Sequence, residues 1–362
     1  MKEYDVLCCP KCGKTWDGIK CHNCGYSATN TMKRFAFILM AIATVTFTGC
    51  SKDDGAGSSN LADKLSVGLR TYLVNNYDSN DNGKLENSEI ENITYLQIYD
   101  VDIESYDGIE YLKNLEEIAF TKVNSPCNLD LSKNAKLQRI SISDTDLTGI
   151  SFEGDNLTRI SIFRTAISSI DASKCPNLTS LRIAQNQNLK VIDAHALVNL
   201  ERLDLSECPI EEVDISGCTA LWDFMIGLHF DISTQGSQHH KTYGGFVSGG
   251  SEILNISSSY LKKINLSGLN IEELRILRCT DYGFGQTITY LQGELTSLKV
   301  DNCTNLKMLF CSDNKLTTLD VSSCNALETL NCYRNNISEI WLKEGQNITN
   351  LNKDTSTEIK YK

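Results

Sequence analysis

From Ile93 to the end of the chain, apolar residues recur in short triplets of the form L-x-[LIC]. The first apolar positions are Leu96, Ile118, Ile140, Ile160, Leu181, Leu203, Phe224, Leu254, Leu274, Leu309 and Leu330. Successive starts lie 20 to 22 residues apart, except for two longer steps of 30 and 35. Apolar residues at every second position describe a strand whose alternate side chains face opposite sides. A unit this short cannot bury its apolar side alone, so neighbouring units must stack on one another. The pattern therefore predicts a curved solenoid over 93–362 with a parallel β-sheet and one continuous core. Coils of this length leave little room for helices on the far side, so the fold is expected to be mostly β.

The columns of the alignment give meaning to other residues. Five positions after each start stand Thr145, Thr165, Asn186, Cys208, His229, Cys279, Asn314 and Asn335, where a polar side chain is expected to satisfy turn backbone groups. Cys175, Cys218, Cys303 and Cys324 share a second column, and Cys311 and Cys332 share the inward strand position. Cysteines that recur in a column are expected to be small stacking thiols; a pair such as Cys303/Cys324 has poor strand-to-strand geometry for a disulfide. Asp130, Asp171, Asp193, Asp214 and Asp320 recur in the same way and read as architecture. The cleanest copies, "NLKMLFCSDNKLTTLDVSSCN" and "ALETLNCYRNNISEIWLKEGQ", resemble the short leucine-rich repeat L-x-x-L-x-C-x-x-N-x-L-x-x-L-D-V-S-x-N of bacterial surface lipoproteins. The resemblance covers about three-quarters of the chain. It implies a non-enzymatic module that binds proteins or glycans.

Ahead of the repeats, Leu61, Leu65, Leu69 and Leu73 fall at a spacing of four and predict a helix. It leads into "DSNDNGKLENSE", which fits the D-x-[DN]-x-[DN]-G-x5-E pattern of an EF-hand calcium loop. Asp78, Asn80 and Asn82 offer side-chain oxygens, Gly83 the sharp turn and Lys84 its carbonyl, while Glu86 and Glu89 complete the set. The alternative is an Asx-rich turn between helix and strand. A single loop with two asparagines is expected to hold Ca²⁺ as a staple rather than a sensor. The 61–92 segment should then cap the open edge of the core, and the degraded repeat in "NITNLNKDTSTEIKYK" should close the other end.

Further upstream the pattern changes again. Lys33 and Arg34 precede thirteen residues, Phe35 to Phe47, that are apolar apart from Thr44 and Thr46. As a helix this run spans about 20 Å, short of a hydrocarbon core of about 30 Å but suited to a signal peptide. "FTGC" resembles a lipoprotein lipobox, which implies lipid on Cys50, and "SKDD" after it resembles the surface-export signal of Bacteroidota-type lipoproteins. The expected organisation is a signal peptide over 32–50, a flexible tether over 51–60, the cap over 61–92 and the solenoid over 93–362. The expected location is the outer membrane, lipid-anchored and facing outward; the alternatives are a periplasm-facing or an inner-membrane anchor.

Residues 1–31 do not fit that plan. Cys9, Cys12, Cys21 and Cys24 form C-x2-C-x8-C-x2-C, which suits tetrahedral Zn²⁺ and resembles a small zinc ribbon. A folded zinc module ahead of an export signal would hinder threading. Met32 is therefore the expected start, and zinc applies only if residues 1–31 are retained.

Net charge is −12, and residues 1–50 hold six basic residues against three acidic ones, leaving the remainder at −15. With no basic stripe evident, nucleic acid is not an expected partner. The two long steps are insertions after the polar turn column, so both should emerge on one rim. They carry Phe230, His239, Tyr243 and Phe246, then Tyr282, Phe284 and Tyr290. Such loops either form a pocket for a glycan or peptide, or simply pack on one another. The alternative function is a glycan- or peptide-processing accessory enzyme with its site in insertions 229–250 and 280–294. No nucleophile elbow, phosphate loop or zinc-protease motif occurs.

Overall fold

The structure, a computed structural model, describes residues 60–124, 128–227, 253–256, 260–276 and 293–362. It also describes the short strands His240–Thr242, Gly245–Phe246, Thr280–Tyr282 and Thr289–Tyr290. The chain divides into two units, Met1–Ser58 and Ser59–Lys362, and the described residues all belong to the second.

The second unit is the expected solenoid. Its main sheet has 13 strands, from Tyr95–Tyr99 to Asn350–Asn352. The alignment column becomes a physical row: Leu96 pairs with Ile118, Ile118 with Ile140, Ile140 with Ile160, Ile160 with Leu181 and Leu181 with Leu203. These residues are at most 2% exposed and belong to one cluster running from Ala62 to Leu342. A second parallel ladder closes each coil on the far side, with Asp171 beside Asp193, Asp193 beside Asp214 and Asp214 beside Asn265. Two shorter sheets on the same pattern pair Asn128–Asp130 with Gly149–Ser151, and Thr318–Asp320 with Glu339–Leu342 and Glu358–Tyr361.

Eight strands leave the main sheet through one residue in the left-handed region. Asp100, Lys122, Asp144, Arg164, Gln185, Glu207, Asp313 and Arg334 all have φ between 48 and 60°. A non-glycine residue there costs on the order of 1 kcal/mol. The ladder offsets it, because the same residues keep donating to the next coil, as Asp100 N does to Thr121 O and Gln185 N to Ser206 O. The polar column follows directly and works as expected where it is described; His229 and Cys279 lie outside the described residues. Asn186 Oδ1 accepts from Thr165 N at 2.8 Å, and Asn186 Nδ2 donates to Ile162 O and Ala184 O. Cys208 replaces it one coil later and donates Sγ to Ile183 O.

At the N-terminal end the helix differs from its prediction. Leu61–Lys64 is a 3₁₀ turn, and the α-helix spans Val67–Tyr77. The break is Ser66, whose hydroxyl accepts from Leu69 N as an N-cap and donates to Ser105 O. Leu65, Leu69 and Leu73 remain buried. The helix then covers the exposed edge of the first strand: Tyr72 Oη donates to Gln97 O at 2.6 Å and Tyr77 Oη to Tyr95 O at 3.0 Å. Unpaired edge groups that invite aggregation are thereby satisfied. At the other end, "NITNLNKDTSTEIKYK" makes a further full coil, with Asn350–Asn352 in the main sheet and Glu358–Tyr361 on the far side. There Asp354 accepts from Arg334 N and Asn335 N, taking over the turn-satisfying task.

Candidate functional site

In the cap loop the structure brings five of the six predicted calcium residues together through their side chains. Asp78 accepts from Asn82 N and Gly83 N, Asn80 Oδ1 from Asn82 N, and Asn82 Oδ1 from Lys84 N. The amides of Asn80 and Asn82 donate to Glu86. Glu89, only 6% exposed, accepts from Ser79 N and Oγ and from Glu86 N. Hydrogen bonding to Glu86, side chain and then backbone, and to Ser79 holds its carboxyl down to about 2. Glu86 and Glu89 also form a capping box at the helix Asn87–Glu91. These bonds close the loop. The donor set of carboxylates, amides and the Lys84 carbonyl is of the kind a hard cation takes. Among the described residues, no three His, Cys, Asp or Glu side chains converge as a metal cluster.

The insertions do meet. His240–Thr242 pairs antiparallel with Thr280–Tyr282, which pairs with Thr289–Tyr290, so the two loops share one small sheet. Tyr282 and Tyr290 lie on its strands. Phe246 does not belong to it: Gly245–Phe246 enters the main sheet, antiparallel to Asp223–Gly227 on one side and Ile253–Ile256 on the other. The far-side ladder ignores this intrusion and passes directly from Glu212–Asp214 to Lys263–Asn265. Glu211 bridges the gap, accepting from Lys190 at 2.9 Å and Lys262 at 2.7 Å; Lys262 first, then Lys190, pulls its carboxyl down to about 2. Phe230, His239, Tyr243 and Phe284 lie outside the described residues, as do Cys50 and the zinc-ribbon cysteines Cys9, Cys12, Cys21 and Cys24.

Sequence reasoning missed the outer face of the main sheet. Arg139 pairs in register with Arg159, Arg159 with Ser180, and Ser180 with Arg202; one pleat along, Ser141 pairs with Ser161 and Ser161 with Arg182. Four arginines thus gather on one surface of an acidic body, which corrects the expectation of no basic stripe. The signal was present as "RI", "RI", "LR" and "RL" in four successive repeats. The ion pairs here are loose: Arg139–Glu117 at 3.8 Å, Arg182–Asp204 at 3.6 Å and Arg202–Asp223 at 3.8 Å. Arg182 lies over the Phe163 ring and Arg202 over Trp222, with centroid distances of 5.5 and 4.8 Å.

Residues 304–344 match the family model for Leucine Rich repeats (2 copies). The chain carries leucine-rich repeats. No curated protein matches the sequence. Among solved structures, the functional domain of InlJ from Listeria monocytogenes, described as including a cysteine ladder, is 16% identical, with a TM-score of 0.31 over 78% of this chain and 75% of that one. An internalin, inlF, of Listeria monocytogenes is 15% identical, with a TM-score of 0.33 over 83% and 96%. The Toll–Spatzle complex of Drosophila is 15% identical, with a TM-score of 0.27 over 71% and 37%.

Within these leucine-rich repeats the described cysteines are free and buried. Burial pushes Cys208, Cys218, Cys324 and Cys332 up to about 12. They are more than filler. Sγ of Cys218, Cys303 and Cys324 donates to Ala194 O, Leu266 O and Val300 O of the preceding coil. Asn134 takes this place in an early repeat, donating to Ile109 O and Leu112 O, and Gln346 takes it in a late one. The column is a donor position that a thiol fills without a second polar atom to bury.

Proposed function

We propose that the protein is a surface lipoprotein, anchored in the outer membrane through lipid on Cys50, that works as a non-catalytic binding module for a protein or glycan. The observation that supports a binding role best is the outer face of the main sheet. Its inward residues are committed to the core, while its outward residues form a broad polar and aromatic surface that packing does not use. The shared sheet of the two insertions adds a second element for recognition. Calcium in the cap loop serves stability: it would be held by Asp78, Asn80, Asn82, Glu86, Glu89 and the Lys84 carbonyl, beside the helix that covers the sheet edge. A hard cation there would neutralise the three liganding carboxylates, Asp78, Glu86 and Glu89.

Intact mass of the native protein tests the anchor. A lipid-modified N-terminal Cys50 is expected, and a retained Met1 would overturn it. Separate deletions of 231–250 and 281–294 test the module, since ligand capture should fall without any turnover in the unchanged protein. Melting in calcium and in chelator tests the staple: at about a hundred times its Kd the ion adds about 2.7 kcal/mol. Asn82→Ala should remove most of that increment, and an unchanged melting curve in chelator would exclude the site.

A further inference from the structure

We infer that the arginine-bearing part of the main sheet, from Arg139 to Arg202, docks an acidic protein segment. The inference rests on the binding role above and assigns the chemistry of its partner. Strands in a sheet lie about 4.8 Å apart, so register fixes the spacing of this surface. Arg139 and Arg159 are direct neighbours, and Arg182 and Arg202 follow on the next two strands. Ser141, Ser161 and Ser180 fill the positions between them, so the floor offers hydroxyl and guanidinium donors and no carboxylate across the strands Arg139–Ser143, Arg159–Phe163 and Ser180–Ala184.

The local charge is opposite to that of the molecule. Beyond residue 50 the chain carries −15, yet these three strands present Arg139, Arg159 and Arg182 outward. Glu117 and Asp223 stand at the flanks and Asp204 in the fourth strand, in register with Arg182, all at separations beyond hydrogen-bond reach of the arginines. Among the described residues no carboxylate forms an ion pair with Arg159. A guanidinium with its donors free is matched by a carboxylate, which it binds in bidentate fashion.

The aromatic residues favour protein over sugar. A sugar needs a bare ring to stack on, and the two rings on this part of the sheet already carry a cation: Arg182 over Phe163 and Arg202 over Trp222. Arginine and aromatic side chains set together on a flat face are the composition of protein–protein hot spots.

The test uses the full chain and a synthetic peptide of alternating glutamate and tyrosine, followed by fluorescence anisotropy at low and physiological salt. The peptide is expected to bind, and more weakly as salt rises. Arg159→Glu should weaken binding by roughly tenfold or more, and Arg159→Lys by less, because it keeps the charge and loses the fork. Lys299→Gln, on the far-side sheet, should stay within about twofold of the unchanged chain. Melting curves confirm that each variant folds. Equal binding by Arg159→Glu and the unchanged chain overturns the inference, as does an equal loss in Lys299→Gln. Arg159-dependent binding of dextran sulfate, with no binding of the peptide, overturns it in favour of an anionic glycan. If insertion deletions abolish binding of the peptide while Arg159→Glu leaves it intact, the module stands and the arginine surface fails.

Discussion

In the main sheet, register sets Arg139 beside Arg159; in the far-side sheet it sets Asp171 beside Asp193 and Asp193 beside Asp214. Both rows are like-charged neighbours one strand spacing apart, and both recur with the repeat. They differ in what their side chains do locally. Asp171 accepts from Ser173 N and Oγ at 3.0 and 2.6 Å, Asp214 from Ser216 in the same way, and Asp193 from His195. Each aspartate closes a turn, so its charge is used inside its own coil. The arginines close no turn and find only distant acids. Recurrence alone therefore does not mark a binding surface; a recurring polar side chain left unused by its own coil does.

The largest effect should come from neither row but from the residue between them. Leu181 is fully buried in the shared core, so Leu181→Ala should destabilise by about 2–5 kcal/mol in urea unfolding. Arg159→Gln should stay within about 0.5 kcal/mol, which separates core from surface in one experiment.

Next in size is the donor column. Asn134 Oδ1 is buried without a partner, while its amide donates twice. Asn134→Cys keeps a donor and removes the orphaned oxygen, so stability should be unchanged or rise by about 1 kcal/mol. A loss beyond about 1 kcal/mol would show that the second amide bond matters more than the orphan.

The aspartate row can be tested by chemistry that separates turn closure from charge. Asp171→Ala should cost about 0.5–1 kcal/mol. Asp171→Asn should cost less, because Asn265 already closes the same turn with Ser267 N and Oγ in a later coil. Equal losses would mean that the charge matters, and the two rows would differ less than their hydrogen bonds indicate.

The smallest effect is a pH dependence. Hydrogen bonding to Asp193, with the charges of Asp193, Asp214 and Asp171, raises His195 above its ordinary value. A raised folded value gives stability that is present below the unfolded value of about 6.5 and is lost as pH rises through the folded one. Asp171 is held low by Ser173, and Asp214 by Ser216 and Asn265 against its burial, so their contribution is lost as pH falls through the folded values. Unfolding of the unchanged chain should therefore show a shallow maximum between about pH 4 and 6.5 that shrinks in His195→Ser.

Much of this was legible in the residues. The start column Leu96 to Leu330 fixed strand, register and core at once, because an apolar residue every 20 to 22 positions can be buried only by stacking. The asparagine column followed from the same kind of pattern. The arginine row was equally visible, yet a net charge of −12 averages it away; charge must be read column by column in a repeat protein.

Other features were decided only in three dimensions. No periodicity signalled that Ser66 would end one helical turn and cap another, since Leu61, Leu65, Leu69 and Leu73 keep a perfect spacing across it. Nothing local marked Gly245–Phe246 as a strand of the main sheet, or His240–Thr242 and Thr280–Tyr282 as partners. Repetition tells each coil where its neighbour lies, so the sequence by itself determines a solenoid. An insertion has no repeat to copy, and the backbone groups it must pair are chosen by whatever edge the folded coils leave within reach.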